Sequence, residues 1–344
     1  MKSMGRKEYL AKAMTGSGLH ALGAFLRALM MKELPILAYH RVYDITDEAL
    51  FPFDPELVSA SVAGFRWQME YIRQRYEPIT FQTLLDVLDG TAVLPERPVI
   101  ITFDDGYDDN YYNAFPVLRS LGIPATVFVS TGYIGQVKPF WFDLVAHILF
   151  RLPVGAVPLK GLDMDLRVDD DVESRRAATA KLMGALKRVS NQCRLEFLDG
   201  FEREYSYVVD GDGFGRSRPL DWSHIREMSA AGIEFGSHTV THPILSKLED
   251  DALERELVLS KETLEHELGT PMSILAYPVG GPEEFNEKVV EVAQAVGYRA
   301  GVSYIPGVNK MDDLDRFRLR RQHVERYTTA DYFSGLLSWP EVFR

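Results

Sequence analysis

One cysteine, Cys193, stands among the 344 residues, which excludes an intrachain disulfide and suits a reducing compartment. At a helical position it reads as a small apolar residue. Positive charge is also short: 38 Lys and Arg face 50 Asp and Glu, for a net charge of −12. That balance disfavours a phosphate-backbone partner and simple electrostatic adhesion to anionic lipid, so no nucleic-acid partner is expected. Long apolar runs are missing as well. Between Met1 and Met31 the apolar residues are interrupted by Arg6, Lys7, Lys12, Gly16, Gly18 and Arg27, leaving neither a cleavable signal core nor an apolar span of ~20 residues. A cytoplasmic address is expected. The same segment, residues 1–33, is locally basic and carries Leu19, Leu22, Phe25, Leu26, Leu29 and Met30 at helical spacing. Such a helix rests on a membrane interface or packs on the main domain, so peripheral membrane contact is one of two readings.

What the chain does have is a core. Its hydrophobic fraction of 46% is ample for a globular fold, and its length suits one large α/β domain or two ordinary ones. The organising stretch is Val99-Ile100-Ile101-Thr102-Phe103-Asp104-Asp105-Gly106, a buried strand delivering two carboxylates to its carboxyl end. Adjacent carboxylates repel and resist desolvation, so the pair asks for a metal or a shared proton, unless it only opens an Asp-Gly turn. Far along the chain, Ile233 to Pro243 is a second strand-like run that ends in His238 and His242. Two imidazoles and one carboxylate form a ligand set that leaves coordination positions open, the condition for a catalytic metal site.

These two stretches resemble the first two motifs of the polysaccharide deacetylases, the family-four carbohydrate esterases. The likeness extends over roughly residues 35–149 and 219–325. It implies a distorted (β/α)7-8 barrel of α/β class, with Asp105, His238 and His242 on a divalent metal and Asp104 as general base. Zinc fits two nitrogens and one oxygen, and nickel, cobalt or iron accept the same ligands. Taken alone, His40 at the end of the strand Leu34 to Val42 reads as a satisfied structural histidine. Leu37-Ala38-Tyr39-His40 nevertheless resembles the tyrosine-histidine strand that opens the chain in a circularly permuted branch, which makes His40 the candidate general acid, with His323 as the alternative. The family's third motif falls on Ile274 to Gly281, but Ala276 stands where an arginine is usual and Val279 where an aromatic is usual. Arg321, on the basic strand Phe317 to Val324, is the expected substitute partner of Asp104. The turn after Pro278 implies Val279 N–H as an oxyanion donor and Tyr277 beside the substrate.

The order of elements, strand then helix with short Gly/Pro connections, points to parallel βα units. Asp108 and Asp109 read as caps of the helix Tyr111 to Leu121. Trp141 either stacks on a sugar or anchors the start of a helix. Residues 150–219, with one helical pattern from Val172 to Leu198, read as an insertion in the single barrel domain 34–344 that lids the substrate mouth. Glu254, Glu256, Lys261, Glu262 and Glu265 read as solvated surface of a long helix. The function implied is metal-dependent removal of an N-acyl group, most simply N-acetyl, from an amino sugar in a polysaccharide or glycan precursor. Alternatives are a deformylase of a lipid- or nucleotide-linked amino sugar, a non-catalytic carbohydrate-binding relative, and a nitrogen-heterocycle hydrolase on the same scaffold.

Overall fold

The computed structural model describes residues 5–17, 19, 23, 32–209 and 217–343. Most of the amphipathic stretch from Leu22 to Met30, and Asp210 to Gly213, lie outside the described residues. Helix α1 (Arg6–Gly16) packs on the chain's far end through buried Ala11. Among the described residues no helix is long and apolar enough to cross a membrane.

Seven parallel strands close into a ring, each pairing with the next in chain order. They are β1 (Ile36–Tyr39), β2 (Pro98–Phe103), β3 (Thr126–Val129), β4 (Glu234–Ser237), β5 (Ile274–Ala276), β6 (Ala300–Pro306) and β7 (Leu319–His323), which returns to β1. The strands are largely buried, and β1, β2 and β3 are rich in aliphatic and β-branched residues, as strands covered on both faces tend to be. Alternation divides their side chains. Ile36, Ile100, Phe128, Ile274, Val302 and Leu319 form one cluster, whereas Leu37, Ile101, Val127 and Leu275 pack with the surrounding helices.

The helical layer follows from capping and periodicity. Helix α2 (Val62–Arg75) starts at Ser61, whose hydroxyl accepts from Gly64 N–H, and buries Phe65, Met69 and Ile72. Helix α3 (Phe81–Leu88) crosses the barrel's amino-terminal end, where Glu234 accepts from the Phe81 and Gln82 N–H groups. Helix α4 (Phe115–Leu121) ends at Gly122 in the left-handed region.

Between β3 and β4 stands the inserted layer. It comprises α5 (Trp141–Arg151), an antiparallel hairpin of Gly155–Val157 with Leu166–Val168, α6 (Val172–Arg188) and α7 (Asn191–Glu204). The continuous helix expected over Val172 to Leu198 is therefore two. Val189 is extended and the Ser190 hydroxyl accepts from Cys193 N–H, so a fresh N-cap interrupts the apolar pattern. Leu144, Ile148, Leu182, Phe197 and Phe201 give this layer its own core. Helix α5 is built into that core through Leu144, Val145, Ile148 and Leu149. Arg175 ties α6 to α5 by donating to the carbonyls of Leu149, Phe150 and Leu152 at the end of α5.

The barrel resumes with α8 (Trp222–Ala230), α9 (Asp250–Leu268), α10 (Glu287–Val296) and α11 (Ala330–Ser338), on which α1 rests. Strand β6 was not foreseen from the sequence. Its signal was the helix-stopping Gly297 followed by a buried run, diluted by Gly301 and Ser303.

Candidate active site

Register alone brings the first two groups together. Tyr39 pairs with Phe103, so the next residues, His40 and Asp104, leave the ring side by side, with His40 Nε2 3.9 Å from Asp104 Oδ2. Two strands on, Ser237 pairs with Val129, and His238 follows at the same rim. Asp105, His238 and His242 converge there. Asp105 Oδ1 lies 3.6 Å from His238 Nε2 and 3.2 Å from His242 Nε2, and all three residues are buried.

The backbone at this rim is strained. Among the described residues only four non-glycines have positive φ, and all are here: Asp105 (72°), Thr239 (68°), His242 (54°) and Val279 (62°). Left-handed backbone is unfavourable for such residues, and for β-branched Val279 and Thr239 most of all, so surrounding contacts must enforce it. Those contacts are visible. The His242 carbonyl accepts from Trp141 Nε1 and from Arg194, each at 3.2 Å. Glu256 accepts from Val240 N–H, Thr241 N–H and the Thr241 hydroxyl, bracing the loop between the histidines. Glu256 is thus a scaffold group of the site and not the solvated surface charge expected. After Asp105, Gly106 is needed because a Cβ there would stand 2.7 Å from Val129 Cγ1.

Three observations fit a divalent cation. His238 Nδ1 lies 2.8 Å from the Ala276 carbonyl, which fixes the proton on that nitrogen and leaves the Nε2 lone pair facing Asp105. Burial pushes the His238 imidazole down to about 4, so it is neutral, as a ligand must be. Among the described residues, the buried Asp105 Oδ2 and His242 Nδ1 find no hydrogen-bond partner. A cation offsets what would otherwise be an uncompensated desolvation. We expect calorimetric titration with zinc to give one tight site per chain, and chelation to lower the melting temperature, because binding to the folded state alone stabilises it by ~4 kcal/mol at a thousandfold excess over Kd. His238→Ala should lose that site. Unchanged stoichiometry in the variant would count against the assignment.

Arg321 reaches Asp104 from β7. Its Nη1 and Nη2 lie 2.7 Å from Asp104 Oδ1 and Oδ2, a fork-on-fork pair, while Nε donates to the Ser303 carbonyl and Nη1 to Thr102 Oγ1. Both partners are buried. Burial opposes ionisation of Asp104, and the Arg321 guanidinium outweighs it, holding the carboxyl well below the usual carboxylate range. Asp105 also lies below its usual value, because the contact with His242 outweighs burial.

Other expected residues divide. Val279 lines the cavity, and among the described residues its N–H has no protein acceptor. Trp141 also lines it, but its indole is committed to the His242 carbonyl and its ring to the Arg194 guanidinium at 4.9 Å, so it positions a ligand residue. Tyr277 does not reach the cavity: it is buried, its hydroxyl donates to the Phe317 carbonyl and its ring stacks on Phe285. His323 is screened by Tyr304, with ring centroids 3.6 Å apart, and its Nε2 meets the Tyr304 carbonyl. Tyr304 itself was not foreseen. It lines the cavity, 5.4 Å from the His40 ring and 5.3 Å from the Arg321 guanidinium.

Asp109 is not a helix cap. Its side chain makes no cap hydrogen bond, and the following turn, Asn110–Ala114, is a π-helix. Asp109 instead forms a buried ion pair with Arg41 at 2.8 Å and accepts from Val42 N–H, while Asn110 donates to the His40 carbonyl. The segment carrying His40 is pinned from both sides. Asp108 is left with a buried Oδ1 that has no partner among the described residues, and burial with repulsion from Asp109 pushes it up to about 7. The native state therefore keeps a proton that the unfolded chain releases near pH 4, so stability falls as pH rises from about 4 to about 7. Asp108→Asn removes this loss. Its melting temperature relative to the wild type should climb across that window by a few degrees, a difference on the order of that expected for 1–2 kcal/mol. A pH-independent difference would sink the account.

The fold and the rim define a parallel-barrel hydrolase with a candidate metal centre at the strand ends. The polysaccharide deacetylase family profile matches residues 92–301, more than half of the chain, so the chain belongs to that family of hydrolases. It is 22% identical to the Bacillus subtilis protein YxkH over 315 residues, covering 91% of this chain and 79% of that one. Over 128 residues it is 30% identical to the poly-beta-1,6-N-acetyl-D-glucosamine N-deacetylase of Staphylococcus aureus, 35% of this chain and 44% of the relative. The Streptococcus pyogenes deacetylase PplD, solved with acetate, shares the fold at a TM-score of 0.57 and 19% identity, covering 87% of this chain and 96% of that one.

Proposed function

We propose that this protein removes an N-acyl group, N-acetyl in the simplest case, from an amino sugar in a glycan or glycan precursor. The observation that carries this reading is the pairing of a buried Asp/His/His set with a neighbouring carboxylate that stays outside it, ionised by Arg321. Asp105, His238 and His242 would hold a divalent ion, which supplies Lewis acidity for the acyl oxygen and for water.

The remaining work falls to the chain's own side chains. Asp104 accepts a proton from the attacking water as its oxygen bonds to the acyl carbon, and Arg321 keeps that carboxylate charged and oriented beforehand. Val279 N–H, in the cavity lining and on left-handed backbone, donates to the acyl oxygen as negative charge develops. When the C–N bond breaks, the amine nitrogen takes a proton from His40. The partly exposed His40 borders the same cavity. The products are a carboxylate and a free amino sugar. The Arg321–Asp104 pair supports the catalytic reading over a non-catalytic carbohydrate-binding relative, because it supplies the arginine that Ala276 lacks.

The test is a panel of N-acetyl and N-formyl amino sugars, free, nucleotide-linked and oligomeric, with acetate and formate measured separately. Acetate release that requires the added metal supports the reading. Formate release in preference to acetate would replace deacetylation by deformylation. Neither product from any member, with metal bound, would overturn it.

A further inference from the structure

The cavity over His238 and His242 does not end at the reacting groups. It has a volume of about 680 Å³ and continues beneath the inserted layer, walled by the 52–57 loop, α5 and α6. Helix α6 works on two sides. Ala178, Leu182 and Leu186 enter the layer's own core. Arg176, Thr179, Ala180, Met183, Gly184 and Lys187, spaced as one helical face, line the cavity, and Met183 also packs on that core. That face covers three turns, about 16 Å at 1.5 Å per residue, longer than an acetyl group or one sugar ring.

The chemistry of the walls is the second observation. Phe53, Leu57, Phe150 and Met183 give the space its apolar surface, and Asp54 and Glu56 on the loop with Arg176, Thr179 and Lys187 on α6 are its polar members. An alkyl chain laid against Phe53, Leu57, Phe150 and Met183 would gain from leaving water, and a sugar ring would gain less. Gly184 keeps the wall low: a Cβ at this position would meet only the Arg188 side chain, at 3.5 Å. The helix gives up stability by carrying glycine in its interior, and gains open space beside Ala180.

Resting on the deacylase reading above, we infer that this chamber receives a long apolar chain carried by the amino sugar. The substrate is then an amphiphile, one or a few sugars joined to an alkyl or polyisoprenoid chain, and not an interior residue of a polymer. Continuity with the metal centre decides the occupant, since whatever fills the chamber is the non-reacting part of the molecule whose amide lies at Asp104 and His40. Burial of the chain is the source of affinity, and binding energy from a remote part of a substrate is used at the reacting centre.

The experiment uses the metal-loaded full chain and N-acetylglucosamine glycosides with methyl, octyl and dodecyl aglycones below their critical micelle concentrations, beside a soluble N-acetylglucosamine oligomer. A methyl glycoside bearing N-dodecanoyl in place of N-acetyl reports whether the chain is accepted on the acyl side. From methyl to dodecyl, kcat/KM should rise at least ~10-fold, since even two buried methylenes suffice for that factor. Gly184→Phe fills the strip, and Ala180→Glu, at an exposed helical position, places a charge in it. Both should bring the dodecyl-to-methyl ratio towards one. A flat series, or an oligomer preferred over the dodecyl glycoside, overturns the inference. Calorimetric binding separates the two readings: dodecyl glycoside that binds, weakens with Gly184→Phe and yields no acetate leaves the chamber standing and removes the deacetylase assignment. Absence of both binding and turnover removes the chamber.

Discussion

Asp104→Asn should lower turnover of an N-acetyl amino sugar by ~10²–10⁴-fold, the contribution of a positioned general base, while the bound-metal stoichiometry stays at the wild-type value. The separation follows from geometry. Asp104 spends both oxygens on Arg321, whereas Asp105 is the carboxylate within 3.6 Å of both imidazoles. Asp105→Asn should do the reverse, with metal lost first and activity in consequence. Metal analysis and steady-state rates on the two variants check the assignment. Equal metal loss in both, or near-wild-type turnover in Asp104→Asn, would dissolve the division of labour between neighbours in sequence.

That these carboxylates and histidines belong together was legible in the sequence because strand ends concentrate chemistry, whereas the roles of Asp104 and Asp105 came only from the family resemblance. A run of β-formers ending in Asp-Asp-Gly, and another ending in His-x-x-x-His, can both be read without knowing how strands pair. Register then does the rest, since His40 and Asp104 meet because Tyr39 pairs with Phe103. What stayed hidden depends on contacts between segments far apart. Glu256 lies on a charged helical face in the sequence, and only folding shows its carboxylate collecting three donors from the Val240-Thr241 loop. Asp109 looks like a cap because it precedes a helical pattern, but Arg41 lies nearer and offers a charged partner. Tyr304 was missed together with its strand, whose small residues blurred the pattern. Tyr277 was misplaced for the opposite reason: its neighbour Pro278 matched a motif, but the alternation of the strand turns the ring away from the cavity and onto Phe285.

Arg321 is where a local reading and a tertiary one meet, and its replacement tests both stability and chemistry. Arg321→Met leaves Asp104 buried without its guanidinium, which should cost about 3–5 kcal/mol, a fall in melting temperature of about 4–7 °C for a chain of this length. Arg321→Lys restores charge but not the fork, because one ammonium cannot also donate to Asp104, Thr102 and the Ser303 carbonyl in the same geometry. It should retain more stability than Arg321→Met while remaining well below wild-type turnover. The double variant Arg321→Met/Asp104→Asn removes both charges, so most of the stability should return while activity stays lost. Thermal melts and acetate release on the four proteins read the two effects apart. If the double variant is no more stable than Arg321→Met, the guanidinium's cost and benefit do not run through Asp104. If Arg321→Met alone keeps wild-type turnover, the base is oriented by something other than the arginine that β7 supplies in place of the one missing from β5.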